Sequence, residues 1–376
     1  MVVGFDAKRI VRNGTGLGSY SRTLVNDLAQ NPSLSLRLYA PDTGRDELRR
    51  QIVERPNVQF VYPLSYPSIL TSYWRMHGMV GQLEREGVQV YHGLSGELPI
   101  GLHRAGIKSV VTIHDLIFLR HPEYYHWVDT KLYTWKFRRT LKEADRIIAI
   151  SECTKRDIME LGHVDESRIQ VIYQSCAPRF SAAVGSDLCE AVRHRYRLPR
   201  RFMLSVGTIE QRKNLLLAVK ALRHLPPDVA LVAVGRQTPY VNQLTDYAQR
   251  HALTDRLVLL HNVGDDELPA FYALAELFVY PSRYEGFGIP IIEAISSGLP
   301  VAACTGSCLE EAGGPDSLYA DPDDDEALAA AVTCLLRGAE GREERISRSR
   351  DYIRRFTGTT VADQVAAIYR ELLQLN

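Results

Sequence analysis

The sequence has no apolar run approaching the roughly 18 residues that span a bilayer, so no membrane-crossing helix is expected. It has no C-x-x-C pair either. The six cysteines, Cys153, Cys176, Cys189, Cys304, Cys308 and Cys334, are scattered, and Cys304 and Cys308 stand without a histidine cluster. Structural zinc is therefore not expected, and a reducing compartment is the simpler setting. Charge of one sign is not in surplus, since 45 Lys+Arg balance 45 Asp+Glu. The first half leans basic and the second acidic by a similar small margin; neither is basic enough to point to nucleic acid. No internal repeat or low-complexity tract is present. The opening residues Met1-Val2-Val3-Gly4-Phe5-Asp6 lack the basic and apolar regions of a signal peptide and read as a first strand. A cytoplasmic protein is expected.

What is present is an ordinary globular composition, with 45% hydrophobic and 24% charged residues in 376. That length is enough for two domains with full cores. Short β-branched and aromatic runs alternate with helical stretches. In the first half, strands are expected at Val2–Asp6, Leu36–Ala40, Val58–Val61, Val88–Tyr91, Ser109–His114, Ile147–Ile150 and Ile169–Ile172. In the second they are expected at Phe202–Val206, Ala230–Val234, Leu257–His261, Leu277–Tyr280, Val301–Cys304 and Leu318–Ala320. Strands separated by helices imply parallel sheets, and two such series imply an α/β protein of two doubly wound, Rossmann-like domains. The expected division is 1–177, 178–359, and a final helix over 360–376 that could pack on either domain, the first included.

The most informative stretch runs from Leu277 to Glu293. An apolar strand ends at Pro281-Ser282. A loop, Tyr284-Glu285-Gly286-Phe287-Gly288, follows, and then a helix with Pro290 expected at its first position and Glu293 in its opening turn. The free N–H groups and positive dipole of such a helix end suit an anion. Carboxylates before and after the loop suit hydroxyls, so a ligand with phosphate and hydroxyl groups fits. Taken alone, the segment also fits a plain βα turn.

Other candidates lie where strands end, the place where open parallel sheets bind ligands. Gly14-Thr15-Gly16-Leu17-Gly18 follows the first strand, but its spacing is not G-x-G-x-x-G and no acidic residue ends the second strand, which argues against a dinucleotide. His114 ends the fifth strand where it leaves the sheet, and His92 closes the one before it, where packing explains it equally well. Gly207…Arg212-Lys213-Asn214 places a forked and a point cation beyond a strand, suited to a diphosphate. Val234-Gly235-Arg236 and His261-Asn262-Val263-Gly264 close the next two strands and can wall a base pocket. Asp321-Pro322-Asp323-Asp324-Asp325-Glu326 reads as a helix N-terminus rather than a metal site, and Asp265-Asp266-Glu267 likewise. Ser151 reads as a helix cap. Residues 124–146 mix Tyr, Trp and Phe with Lys and Arg; a helix with a packed aromatic side is the ordinary reading, and contact with a membrane surface the other.

Together these pieces resemble the retaining glycosyltransferases of family four, which have the GT-B fold of two Rossmann-like domains facing a cleft. The resemblance spans nearly the whole chain. Its most specific part is the E-x7-E signature, Glu285 to Glu293, supported by Gly207…Arg212-Lys213-Asn214, His114-Asp115, the loop Gly14–Gly18, and Glu310-Glu311-Ala312-Gly313-Gly314 before Asp321-Pro322. The first half is most similar to the subgroup typified by mannosyltransferase B of O-antigen synthesis. Cys308-Leu309-Glu310 departs from the family's commoner small-x-Pro-Glu.

The resemblance implies a nucleotide-diphosphate sugar held mainly by the C-terminal domain and a glycan or lipid-linked acceptor by the N-terminal one. By position, Glu293 would bind ribose hydroxyls, and Arg212 and Lys213 the diphosphate. Amides at Gly286, Phe287, Gly288 and Ile289 would hold phosphate and sugar, and Glu285 sugar hydroxyls. His114 would contact the donor sugar, with Gly16 and Gly18 near the phosphates and Gly207 and Val263 beside the nucleotide. No metal or other cofactor is expected. The leading reading is a GDP-mannose-dependent enzyme of surface-polysaccharide synthesis, cytoplasmic or peripheral at the membrane's inner face. A UDP-sugar donor (glucose, galactose or N-acetylglucosamine) is one alternative, and a non-catalytic sugar-binding subunit the other.

Overall fold

The structure, a computed structural model, describes residues 1–63, 70–174, 176–356 and 361–375. The chain divides into two compact units. One runs to Gln174 and regains the chain at its last helix, Val361–Leu372; the other comprises residues 176–356. The expected boundary between residues 359 and 360 lies outside the described residues.

The first unit is built on seven parallel strands: β1 (Val2–Asp6), β2 (Ser35–Tyr39), β3 (Val58–Val61), β4 (Val90–Gly93), β5 (Lys108–Ile113), β6 (Arg146–Ala149) and β7 (Ile169–Val171), in the order β3-β2-β1-β4-β5-β6-β7. The second holds six, also parallel: β8 (Arg201–Val206), β9 (Val229–Val234), β10 (Leu257–Leu260), β11 (Leu277–Tyr280), β12 (Val301–Cys304) and β13 (Leu318–Ala320), in the order β10-β9-β8-β11-β12-β13. These runs become strands because both faces are covered by helices. β9, Val-Ala-Leu-Val-Ala-Val, is buried at every residue, as a central parallel strand should be. In each sheet the winding reverses beside the first strand of its series, between β1 and β4 and between β8 and β11. Such switch points open a crevice at the strands' carboxyl ends.

Every expected strand is present, most with ends displaced by a residue or two. The displacement matters once. β4 begins at Val90, pairing with Val3, so His92 lies inside the strand and is fully buried rather than closing it. The basic helix Ser186–Arg195 belongs to the second unit, where it packs on the helix Leu268–Leu274. The terminal helix presents Ala362, Val365, Ala366 and Tyr369 at helical spacing to the first core, among Val3, Phe5 and Leu24. Tyr369 also reaches His92, its hydroxyl 2.6 Å from Nδ1. The other ring nitrogen meets the Thr112 hydroxyl at 2.8 Å. Burial pushes this imidazole down to about 3, so it serves as a neutral packing bridge. No described helix is long and apolar enough to cross a membrane.

Candidate active site

At the β8/β11 switch point, two loops converge on one carboxylate. After β8, a single 3-10 turn, Gln211–Lys213, projects Arg212 and Lys213; after β11, the loop brings Glu285 back between them. Lys213 Nζ lies 2.5 Å and Arg212 Nη1 2.9 Å from Glu285 Oε1. The three side chains are nearly buried, at 17, 15 and 11% exposure. Burial opposes ionisation of Glu285, yet Lys213 and Arg212 hold its carboxyl down at about 2. Two cations bracket this one buried carboxylate, and Arg212 has a second, more exposed counter-ion in Glu210.

Each cation is also fixed by a second partner. Arg212 donates to the Tyr284 carbonyl at 2.7 Å and to Glu210 at 2.8 Å. Lys213 donates to the Tyr280 hydroxyl at 2.5 Å and sits 4.8 Å from that ring's centre. Gly207, just past β8, takes φ 144°, a backbone conformation that favours glycine, and a Cβ there would lie 3.8 Å from the Lys213 stem. A point cation and a forked cation, both pre-oriented at a switch point, match a diphosphate.

The helix Ile289–Ser296 starts beside them. Gly288 caps it at φ 109°, and a Cβ there would press on Leu309 at 3.2 Å, so glycine is required on both counts. The Phe287 ring turns inward onto Phe356, 5.3 Å between centres. The Cys308 thiol donates to the Glu285 carbonyl, 3.1 Å away, and so ties the loop where the sequence departs from the family's pattern.

Because the helix begins at Ile289, Pro290 is its second residue and Glu293 its fifth, so Glu293 does not fall in the opening turn as expected. It is therefore not a dipole partner. Its carboxylate accepts from the Tyr272 hydroxyl at 2.9 Å, and burial pushes it up to about 7. Val263 is half-buried just past β10, after Asn262 at φ 59°.

The acidic run before the helix Asp325–Thr333 is already engaged. Asp323 pairs with Arg283, Asp324 caps the Ala327 amide at 2.8 Å, and Asp325 pairs with Arg223 at 3.0 Å. No metal-binding cluster occurs among the described residues. Glu267 does not cap its helix with its side chain; it accepts instead from Arg195 and Tyr196, at 2.7 and 2.6 Å.

In the first unit, His114 is the first residue past β5 and is half-buried. Its Nε2 faces the Leu94 carbonyl at 2.9 Å and its Nδ1 the Gln174 amide at 3.1 Å. A carbonyl only accepts, so Nε2 carries the proton. Burial pushes the imidazole down to about 4, so Nδ1 is bare and the Gln174 amide donates to it. His114 thus offers a hydrogen-bond acceptor. Tyr20 meets its ring edge-on at 4.8 Å. Of the glycine loop, Gly16 opens the helix Gly16–Leu28 toward open space, whereas a Cβ on Gly18 would strike the Asn13 carbonyl at 1.8 Å. Gly18 is explained by that close backbone approach.

The β1/β4 switch point holds an ionic ladder that no motif announced. Asp6, ending β1, pairs with Arg75, which reaches Glu97 at 3.0 Å, which accepts from Lys136 at 2.9 Å. Arg75 is placed by a π-turn, Trp74–Gly78, a distortion often found at functional sites.

Two family models match the chain. Residues 14–175 match the family described as Glycosyltransferase Family 4, and residues 191–352 match Glycosyl transferases group 1. The chain belongs to the family-four glycosyltransferases of GT-B fold and is an enzyme of that class. O-antigen chain mannosyltransferase B of Escherichia coli is 29% identical over 374 residues, covering 95% of this chain and 96% of that one. O-antigen chain mannosyltransferase RfbU of Salmonella typhimurium is 27% identical over 66% of this chain and 65% of its own. Among solved structures, Anabaena HepE in complex with UDP and glucose superposes with a TM-score of 0.76 at 18% identity, covering 98% of this chain and 99% of that one. Sucrose-phosphate synthase from Thermosynechococcus elongatus gives 0.79 at 19%, over 100% and 99%.

Sequence reasoning missed Tyr280, Tyr272, Gln174 and the Asp6–Arg75–Glu97–Lys136 ladder. Tyr280 alone carried a usable signal, as the last residue of a strand at a switch point.

Proposed function

We propose that the protein transfers a hexose, mannose from GDP-mannose, with retention of configuration and without a metal ion. The acceptor is a growing surface polysaccharide or its lipid-linked precursor. The observation that carries the reading is the Arg212–Glu285–Lys213 cluster beside the start of the helix Ile289–Ser296. Breaking the anomeric C–O bond leaves negative charge on the diphosphate and oxocarbenium character on the sugar. Arg212, Lys213 and the Gly288 and Ile289 amides stabilise the first, the task a metal performs elsewhere. Glu293 accepts from the ribose hydroxyls, and Val263 packs against the base. His114 Nδ1 accepts from a sugar hydroxyl in place of Gln174. Glu285 is committed to two cations, which favours attack on the face the diphosphate leaves over a covalent sugar–enzyme intermediate.

The mannose assignment is supported by the names of the two O-antigen relatives. The complex of HepE with UDP and glucose favours a second reading, a UDP-sugar donor on the same site. The proposed setting is the cytoplasmic face of a membrane, with peripheral contact through residues 124–146. A thermal-shift panel of GDP, UDP, ADP and their sugar conjugates decides the donor: GDP and GDP-mannose should stabilise most. A larger shift with UDP would replace mannose with the second reading. Activity should survive EDTA; a complete loss restored by a divalent ion would overturn the metal-free mechanism.

A further inference from the structure

The helix Trp127–Glu143 buries Phe137, Thr140 and Leu141 on one side. On the other it leaves Trp127, Val128, Leu132 and Trp135 exposed at 70, 54, 46 and 47%. At about 100° per residue these four fall within an arc of roughly 140°, and so do Lys131, Arg138 and Lys142. The helix's two acids, Asp129 and Glu143, fall outside that arc. Lys131 sits 4.9 Å over the Trp127 ring, so cation and aromatic are presented together. Single exposed apolar residues are ordinary, but two tryptophans about two turns apart with an acid-free cationic surround are not.

The inner side of the same helix says what the outer side meets. Lys136 donates to Glu97, and the Thr140 hydroxyl donates to the Gly96 carbonyl at 3.2 Å, just past β4 at the switch point of the first sheet. One helix thus carries an aromatic–cationic outer face and holds the crevice where the acceptor is proposed to bind. We propose that this outer face docks on an anionic phospholipid surface, with Trp127 and Trp135 seated at the headgroup level and Lys131, Arg138 and Lys142 against lipid phosphates. Tryptophan favours that boundary because its ring is apolar and its N–H polar; the cations add attraction to a negative leaflet. The inference rests on the lipid-linked acceptor reading and names the face that would bring such an acceptor to the enzyme.

The test uses the full chain and vesicles alone, without donor or acceptor. Wild type should co-sediment with phosphatidylglycerol–phosphatidylethanolamine vesicles and not with phosphatidylcholine. Its tryptophan emission should shift to the blue on binding, since the third tryptophan, Trp74, is already buried. The double variant Trp127→Ser/Trp135→Ser and the triple variant Lys131→Gln/Arg138→Gln/Lys142→Gln should each bind at least tenfold more weakly. Both should keep the wild-type circular dichroism and the wild-type thermal shift with GDP. Failure of wild type to bind anionic vesicles, or binding that neither variant weakens, overturns the proposal. So does a wild-type dimer that the tryptophan variant dissociates while vesicle binding is unchanged. The GDP shift is read separately, so loss of the donor reading would not be mistaken for loss of this one.

Discussion

Replacing Glu285 with glutamine should make the empty enzyme less stable and its grip on a nucleoside diphosphate stronger. The substitution keeps the shape and removes the charge that Lys213 and Arg212 share at 2.5 and 2.9 Å. The carboxyl falls from 4.5 to about 2 on folding. At ~1.4 kcal/mol per pH unit that is about 3 kcal/mol of stability at neutral pH, within the range for breaking a buried ion pair. Because the folded value is depressed, this stability is fully present above pH 4.5 and is lost as pH falls toward 2. For a unit of this size the melting temperature should drop by roughly 6–12 °C at pH 7, and the gap should shrink to about half or less by pH 3. Lys213 then has no counter-ion and Arg212 keeps only the more exposed Glu210 until a diphosphate arrives, so the shift produced by GDP should exceed that of wild type. Transfer should nonetheless fall, since Glu285 fixes both cations. Differential scanning fluorimetry from pH 3 to pH 8, with and without GDP, measures all of this. An unchanged melting temperature at pH 7, or a smaller GDP shift, would refute the reasoning.

Nucleotide affinity should rise with pH through about 7, because Glu293, held up near 7 by burial, must be ionised to accept from ribose hydroxyls. A pH unit lower, only about a tenth is ionised, so affinity should fall about tenfold, and Glu293→Gln should flatten the profile in calorimetric titrations. The sign for stability is opposite: the raised carboxyl favours the folded state below pH 4.5 and loses that advantage as pH rises through 7, so Glu293→Gln should melt higher than wild type at pH 8. Gln174→Glu should set a carboxylate against His114 Nδ1 and raise that imidazole from about 4 by roughly 1–3 units, converting an acceptor into a donor near neutrality. Turnover in this variant should acquire an acid limb that wild type lacks; superimposable pH profiles would show that Gln174 does not set the state of His114.

Much of this was legible in the sequence because it is local. Strands such as Leu277–Tyr280 and Val301–Cys304 are apolar runs closed by turn residues, and parallel strands buried on both faces leave that mark. Glu285 and Glu293 are tied to one loop and one helix, so their spacing reports them. Helix starts are less legible: with Gly288 capping at φ 109°, the helix begins at Ile289, one residue before Pro290, and Glu293 falls just past the opening turn. Contacts made across the chain leave no spacing at all. Nothing near Gln174 marks it as the partner of His114, and Asp6, Arg75 and Lys136 become neighbours only through the winding of the sheet and a π-turn. The E-x7-E stretch therefore pointed to the candidate site, but not to the ion pairs that Glu285 makes with Arg212 and Lys213.

The central claim is that Arg212 and Lys213 hold the diphosphate of a nucleotide sugar at the start of the helix Ile289–Ser296. A crystal structure with GDP tests it most directly. Phosphate oxygens within hydrogen-bond distance of Lys213 Nζ, the Arg212 guanidinium and the Gly288–Ile289 amides are the predicted result. GDP seated elsewhere, with the Arg212–Glu285–Lys213 cluster unchanged, would contradict it.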